Sequence, residues 1–213
     1  VIYLWIMIER IAQSQGSRRE LILKLLREQG IVRVRDIAAR KIHPEYLRRM
    51  LKAGEIIRIG RGMYSLPDAE MSEHRSLAEV AKRVPRAVVC LLSALSYHDI
   101  GTESPSEIWI ALPSGVPSPN LSYPPLRVVH FSKATLSEGA ESYSVDQVSV
   151  SITTPAKTVA DCFKFRNKIG TDVAVEALRE CLRARRCTPD EVVHYAQLCR
   201  VQNVIRPFMD AML

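Results

Sequence analysis

The sequence predicts an α+β chain, in which three helices and a hairpin are followed by a mixed α/β domain with a small sheet and a helical C-terminal third. Three observations carry this. Apolar residues recur at helical period in three stretches between residues 18 and 54, and after Gly54 the period drops to two around a glycine-bracketed tip. Runs rich in β-branched residues stand at 107–112, 126–131 and 143–152, the first two separated by a Pro and Ser loop over 113–125. Two Thr-Pro pairs, Thr154-Pro155 and Thr188-Pro189, then open helices in the last third.

Taken in order, residues 18–28 carry Leu21, Ile22, Leu25 and Leu26 at helical spacing, and Gly30 closes the helix as a C-cap residue. A second, shorter helix runs over about 33–40 with Val34, Ile37 and Ala38 on its apolar face, before a turn at Lys41 and Ile42. The third begins at His43 and Pro44, with proline at the first helical position where its missing N–H costs nothing, and ends at Gly54. Leu47, Met50 and Leu51 should face the core, while Glu45, Arg48, Arg49 and Lys52 recur at i, i+3, i+4 and i+7 on the other side. Ile57, Ile59, Met63 and Tyr64 then flank Gly60-Arg61-Gly62 as two short strands and their tip. Three helices and a hairpin in this order make a winged helix-turn-helix, spanning 18–68. In that geometry the third helix enters the major groove and the arginine-tipped wing reaches the adjacent backbone or minor groove.

Arg48, Arg49 and Lys52 are thus expected to read guanine edges or clamp phosphates, and Arg58 and Arg61 to meet phosphates or the minor groove. His43 joins this DNA-facing set, with an end-of-turn role as its alternative. Tyr46 and Tyr64 are expected to pack as core or boundary aromatics. Charge agrees. Residues 1–70 hold fourteen Lys and Arg against eight Asp and Glu, whereas the remaining 143 residues are nearly balanced; nine of those bases lie between Arg33 and Arg61, against three acids. Such a concentration is the electrostatic footprint of a module that neutralises phosphates.

The chain of 213 residues, 47% hydrophobic and 25% charged, is not of a disordered composition. Its longest uninterrupted apolar stretch is eight residues, far short of the roughly 20 a bilayer span needs. Residues 1–17 read as a leader, with Met7 the expected initiator, and Glu9 and Arg10 directly after the apolar run do not fit a secretory signal. The cysteines Cys90, Cys162, Cys181, Cys187 and Cys199 form no CxxC pair and read as buried thiols of a reducing cytosol.

A polar stretch at 67–73 is the expected linker, and a second domain fills 74–213. Helices are expected at 74–84, 87–98, 171–185 and 203–212 besides the two opened by Thr-Pro. No catalytic constellation stands out. His98-Asp99 are adjacent and so point about 100° apart on a helix; Cys187, His194 and Cys199 match no zinc spacing; Glu107 and Asp146 are not followed by the Glu-x-Lys set of a restriction-type nuclease. No cofactor or metal is expected. Arg179, Arg183, Arg185 and Arg186 form a second basic cluster, read as a solvated face with helix C-terminal cations.

The run "IVRVRDIAARKIHPEYLRRMLKAGEIIRIGRGMYSLP", followed by "VVCLLSALSYHDIGTESPSEIWIALPSG", "LRVVHFS" and "VSITTPAKTVADCFKF", resembles the AbiEi family of antitoxins over about 20–210. The resemblance implies a cytoplasmic, non-enzymatic protein of a bicistronic abortive-infection toxin-antitoxin system. Its winged helix would bind inverted repeats in the promoter and repress the operon, and its C-terminal domain would oppose a nucleotidyltransferase-like toxin. It also implies that Arg35, Lys41, Arg48, Arg49, Lys52, Arg58 and Arg61 occupy the places where such a winged helix meets DNA. Two other readings stay open on the residues alone: a one-component regulator whose second domain senses a ligand, and a nuclease delivered to DNA by its winged helix.

Overall fold

The computed structural model describes residues 18–69 and 72–212. The leader expected over 1–17 lies outside them. The described residues divide into two compact units, one running to Arg75 and including Val145–Val148, the other of Ser76–Ser144 with the described residues from Ser149 on.

In the first unit, α1 covers residues 18–29 and stops at Gly30, whose φ of +61° is a left-handed conformation that glycine adopts without a Cβ clash. Then follow β1 (Val32–Arg33), α2 (Val34–Ala38), α3 (Glu45–Lys52), β2 (Ile57–Gly60) and β3 (Met63–Ser65). The three strands form one antiparallel sheet in the order β1-β3-β2. Strand β1, which no periodicity announced, is two residues long, too short to show alternation. Ile22, Leu25, Leu26, Ile37, Leu47, Met50 and Ile56 are buried together as this unit's core, so the predicted three helices and hairpin are the structure found.

Three inward assignments are corrected. Leu21 is 40% exposed, Leu51 36%, and Ala38 is exposed too. The buried stripe of α1 is 22, 25 and 26, and that of α3 is 47 and 50, so the neighbouring position in each helix turns about 100° away. Pro44 precedes the helix as its N-cap rather than opening its first turn. The five-residue α2 is held by Asp36, whose carboxylate accepts from the Arg33 backbone N–H at 2.9 Å and from the Arg33 guanidinium at 3.0 and 3.1 Å.

The second unit contains α4 (Arg75–Arg83), β4 (Val88–Val89), α5 (Leu91–Tyr97), β5 (Ile108–Pro113), β6 (Leu126–Phe131), α6 (Lys133–Ser137), β7 (Ala140–Val145), β8 (Val148–Thr153), α7 (Pro155–Lys164), α8 (Arg166–Ile169), α9 (Thr171–Arg183), α10 (Pro189–Cys199) and α11 (Gln202–Asp210). Its sheet is mixed, in the order β6-β5-β4-β8-β7, with β5 parallel to β6, β4 antiparallel to β5 and β4 parallel to β8.

The sheet therefore has five strands where three were expected. Residues 87–98 are not one helix: Val88 and Val89 form β4, and the chain turns into α5 at Leu91, which has a φ of +50°. Residues 143–152 are not one strand either, because Asp146 and Gln147 both take left-handed φ values of 47° and 62°, the two-residue turn that folds β7 back on β8.

The helical C-terminal third centres on α7, in which every residue from Ala156 to Phe163 is buried, among Phe131, Leu91, Leu95, Leu178, Val192 and Ile205. Both Thr-Pro starts are helix starts. Thr188 and Glu191 make a reciprocal capping box on α10, whose bonds to Thr188 hold the Glu191 carboxyl below its ordinary range. At α7 proline takes the first turn, but the Thr154 hydroxyl makes no capping bond. The expectation of five thiols is corrected as well. Cys90, Cys162 and Cys199 are free and buried, whereas the turn after α9 brings Cys181 and Cys187 to a Cα separation of 5.7 Å as a disulfide.

Candidate nucleic-acid interface

Because α3 is only eight residues long and buries Leu47 and Met50, its remaining surface belongs to charged side chains. Arg48 and Arg49 have 80% and 60% of their side chains exposed, and Lys52, one turn further, is exposed with them. They form one cationic face. Glu45, in the first turn of the same helix, lies against it: its Oε1 accepts from Arg48 Nε at 3.1 Å and from a terminal guanidinium nitrogen at 3.0 Å, and is 3.8 Å from Arg49 Nε. The i, i+3 and i, i+4 spacing of Glu45 to the two arginines is the sequence signal of this restraint.

The other expected contacts sit on neighbouring elements of the unit. Arg58 is exposed on β2 and donates from Nε to the Gly60 carbonyl at 3.2 Å, which lays its guanidinium along the wing. Arg61 is exposed in the turn between β2 and β3, beside Gly62 with its φ of +70°. Arg35 is exposed on α2, with its guanidinium 3.9 Å from Asp36, and Lys41 is exposed in the turn between α2 and α3. His43 is exposed, and its Nδ1 accepts the backbone N–H of Glu45 at 3.2 Å, the end-of-turn role. Arg40, not singled out from sequence, is exposed at the end of α2 and donates to the Asp36 carbonyl at 3.1 Å. Tyr46 and Tyr64 pack against the apolar core, as expected, and the Tyr46 hydroxyl accepts from Arg18 at 3.3 Å.

In the second unit the candidates for chemistry are each engaged locally. His98 is buried and donates from Nε2 to the Thr153 carbonyl at 2.7 Å, with burial holding its pKa below the ordinary value; Asp99 is exposed, 3.9 Å from Arg186. Cys187 is in the disulfide, Cys199 donates from Sγ to Asp161 Oδ1 at 3.3 Å, and His194 meets Glu138 at 2.7 Å, so these three do not converge. No group of three or more His, Cys, Asp or Glu able to hold a metal ion is found among the described residues. Burial pushes the thiols of Cys90 and Cys162 well up and that of Cys199 up to about 12, so they are protonated and poor nucleophiles. In the second basic cluster, Arg183 pairs with Glu180 at 3.7 Å and Arg186 with Asp99, the pattern of a solvated face.

One feature of this unit had no counterpart in the sequence reading. Lys157 and Asp161, one turn apart on α7, are both fully buried, with Nζ 2.6 and 2.5 Å from the two carboxylate oxygens and 4.8 Å from the centre of the Phe131 ring.

Among the described residues no helix is long and apolar enough to cross a membrane. No curated protein matches the chain. A similar solved structure is that of the RV2827C protein from Mycobacterium tuberculosis, at 14% identity and a TM-score of 0.56, covering 86% of this chain and 71% of that one. At that identity the likeness is one of fold. Residues 20–67, which run from α1 through β3, match the family model described as transcriptional regulator, AbiEi antitoxin, so the family match falls on the winged helix that bears the exposed basic residues.

Proposed function

We propose that this chain is the non-enzymatic, cytoplasmic antitoxin of a bicistronic toxin-antitoxin system and the repressor of its own operon. The winged helix of 18–68 binds inverted repeats in the promoter, with Arg48, Arg49 and Lys52 of α3 in the major groove. Arg58 and Arg61 of the wing, Arg35, Lys41 and His43 hold the backbone around it. The domain of 74–213 counteracts a nucleotidyltransferase-like toxin, directly or through the toxin's target. The observation that carries the reading is that the family match and the exposed cationic face of α3 belong to the same residues. Phosphate neutralisation would supply affinity and α3 the choice of sequence.

The test is fluorescence anisotropy of the full chain with a labelled duplex from its own upstream DNA and with a scrambled duplex, across a salt series. Arg48→Ala with Arg49→Ala should abolish selective binding and flatten log affinity against log salt by about two units, one for each lost cation. Arg185→Ala with Arg186→Ala should leave most of it. Equal losses in the two variants would put the DNA surface elsewhere. Co-expression with the neighbouring reading frame then tests the antitoxin half, which fails if growth arrest by that frame is not relieved.

A further inference from the structure

We infer that Glu45 determines sequence discrimination by the α3 face, as an internal counter-charge that a matching base edge can replace and the phosphate backbone cannot. The inference rests on the DNA reading above and deepens it.

The geometry is specific. One carboxylate oxygen holds the Arg48 guanidinium through two N–H groups, at 3.0 and 3.1 Å, and stands 3.8 Å from Arg49. Glu45 lies in the first turn of α3, the end of a recognition helix whose residues contact base edges. About a third of its side chain is exposed, so DNA can reach it. Before DNA arrives, the cations of α3 are therefore not a free array, because one acid is shared between two of the three.

Consider what each kind of DNA offers. A phosphate oxygen is a strong acceptor and can take Arg48 from Glu45, but it gives the carboxylate nothing in return and repels it. Backbone-only binding is thereby opposed at the point where α3 docks. A base pair differs, because amino groups of cytosine or adenine donate in the major groove beside the acceptor atoms of guanine. A site that places an amino group at Glu45 and a guanine at Arg48 satisfies both halves of the opened ion pair together. Glu45 thus weakens binding to DNA at large and leaves binding to the matching site strong, which widens the ratio between them.

The experiment uses the full chain with Glu45→Gln, which keeps the size of the side chain and removes its charge, and Glu45→Ala as a second variant. Circular dichroism melts establish that each is folded. Anisotropy is read on the upstream duplex and on a scrambled duplex of the same composition. Affinity for the scrambled duplex should rise and the preference for the upstream duplex should fall by about tenfold, the size of one lost base contact. The salt dependence on scrambled DNA should steepen by about one unit as a cation is freed for phosphate. Glu55→Gln is the control; Glu55 is paired with Arg19 at 2.7 Å and lies beyond α3, and both affinities should stay unchanged. Variants at Glu45 that leave the ratio unchanged, or weaken both duplexes alike, overturn the role of Glu45 while the DNA reading stands. A wild-type chain that does not distinguish the two duplexes overturns both.

Discussion

Replacing Asp161 by Asn removes one charge from the buried pair on α7 and leaves its partner. Lys157 has no exposed surface, and both its short contacts run to the carboxylate being changed. Removing one member of a buried ion pair costs about 3–5 kcal/mol, because the remaining charge loses its compensation. Urea unfolding followed by far-ultraviolet circular dichroism at pH 7 reads the loss. Lys157→Met combined with Asp161→Leu should be more stable than either single change, since a buried pair replaced by apolar residues is often neutral. A variant Asp161→Asn within about 1 kcal/mol of the wild type would refute the reasoning, because the buried Lys157 would then not depend on that carboxylate.

Two further outcomes follow from the same unit. His98 donates to a buried carbonyl, and burial lowers its pKa from 6.5; the unfolded chain therefore takes up a proton that the folded one resists, and stability should be full above pH 6.5 and decline as pH falls below it, a decline that His98→Gln removes in acid titrations of unfolding. Gly139 has a φ of +77°, and a Cβ there would stand 2.7 Å from the Tyr195 ring and 2.9 Å from the stem of Lys157. Gly139→Ala should cost more than about 2 kcal/mol, read as a drop of about 5 °C or more in the thermal midpoint.

What could be read from the sequence depended on whether burial was one-sided. The helices of the winged unit each keep one wet face, so their period shows, and Gly54, Gly60 and Gly62 punctuate the change to the hairpin. Val88 and Val89 are buried in the middle of a sheet and run straight into the buried α5, so no alternation separates strand from helix. The turn between β7 and β8 uses Asp146-Gln147 rather than an Asn-Gly or Asp-Gly pair, and without glycine the two strands read as one. At the candidate interface the exposed positions were legible, since Arg48, Arg49 and Lys52 fall opposite Leu47 and Met50. The pairing to Glu45 was written in the same spacing. The pair on α7 was not, because a lysine and an aspartate one turn apart ordinarily mark a wet face.

The two pairs show why the same spacing can serve opposite ends. Glu45 with Arg48 and Lys157 with Asp161 are both acid and base within one helical turn, at comparable distances. In water such a pair is held by less than about 1 kcal/mol, since solvation returns most of what the contact supplies. In the core the charges have no water to return to, and breaking the contact costs several times more. The α7 pair therefore cannot trade partners. The α3 pair can be opened for less than the about 1–3 kcal/mol by which a good base contact discriminates. A matching site can thus replace Glu45 as the partner of Arg48 at a net gain, whereas phosphates that leave the carboxylate bare give back part of what they win.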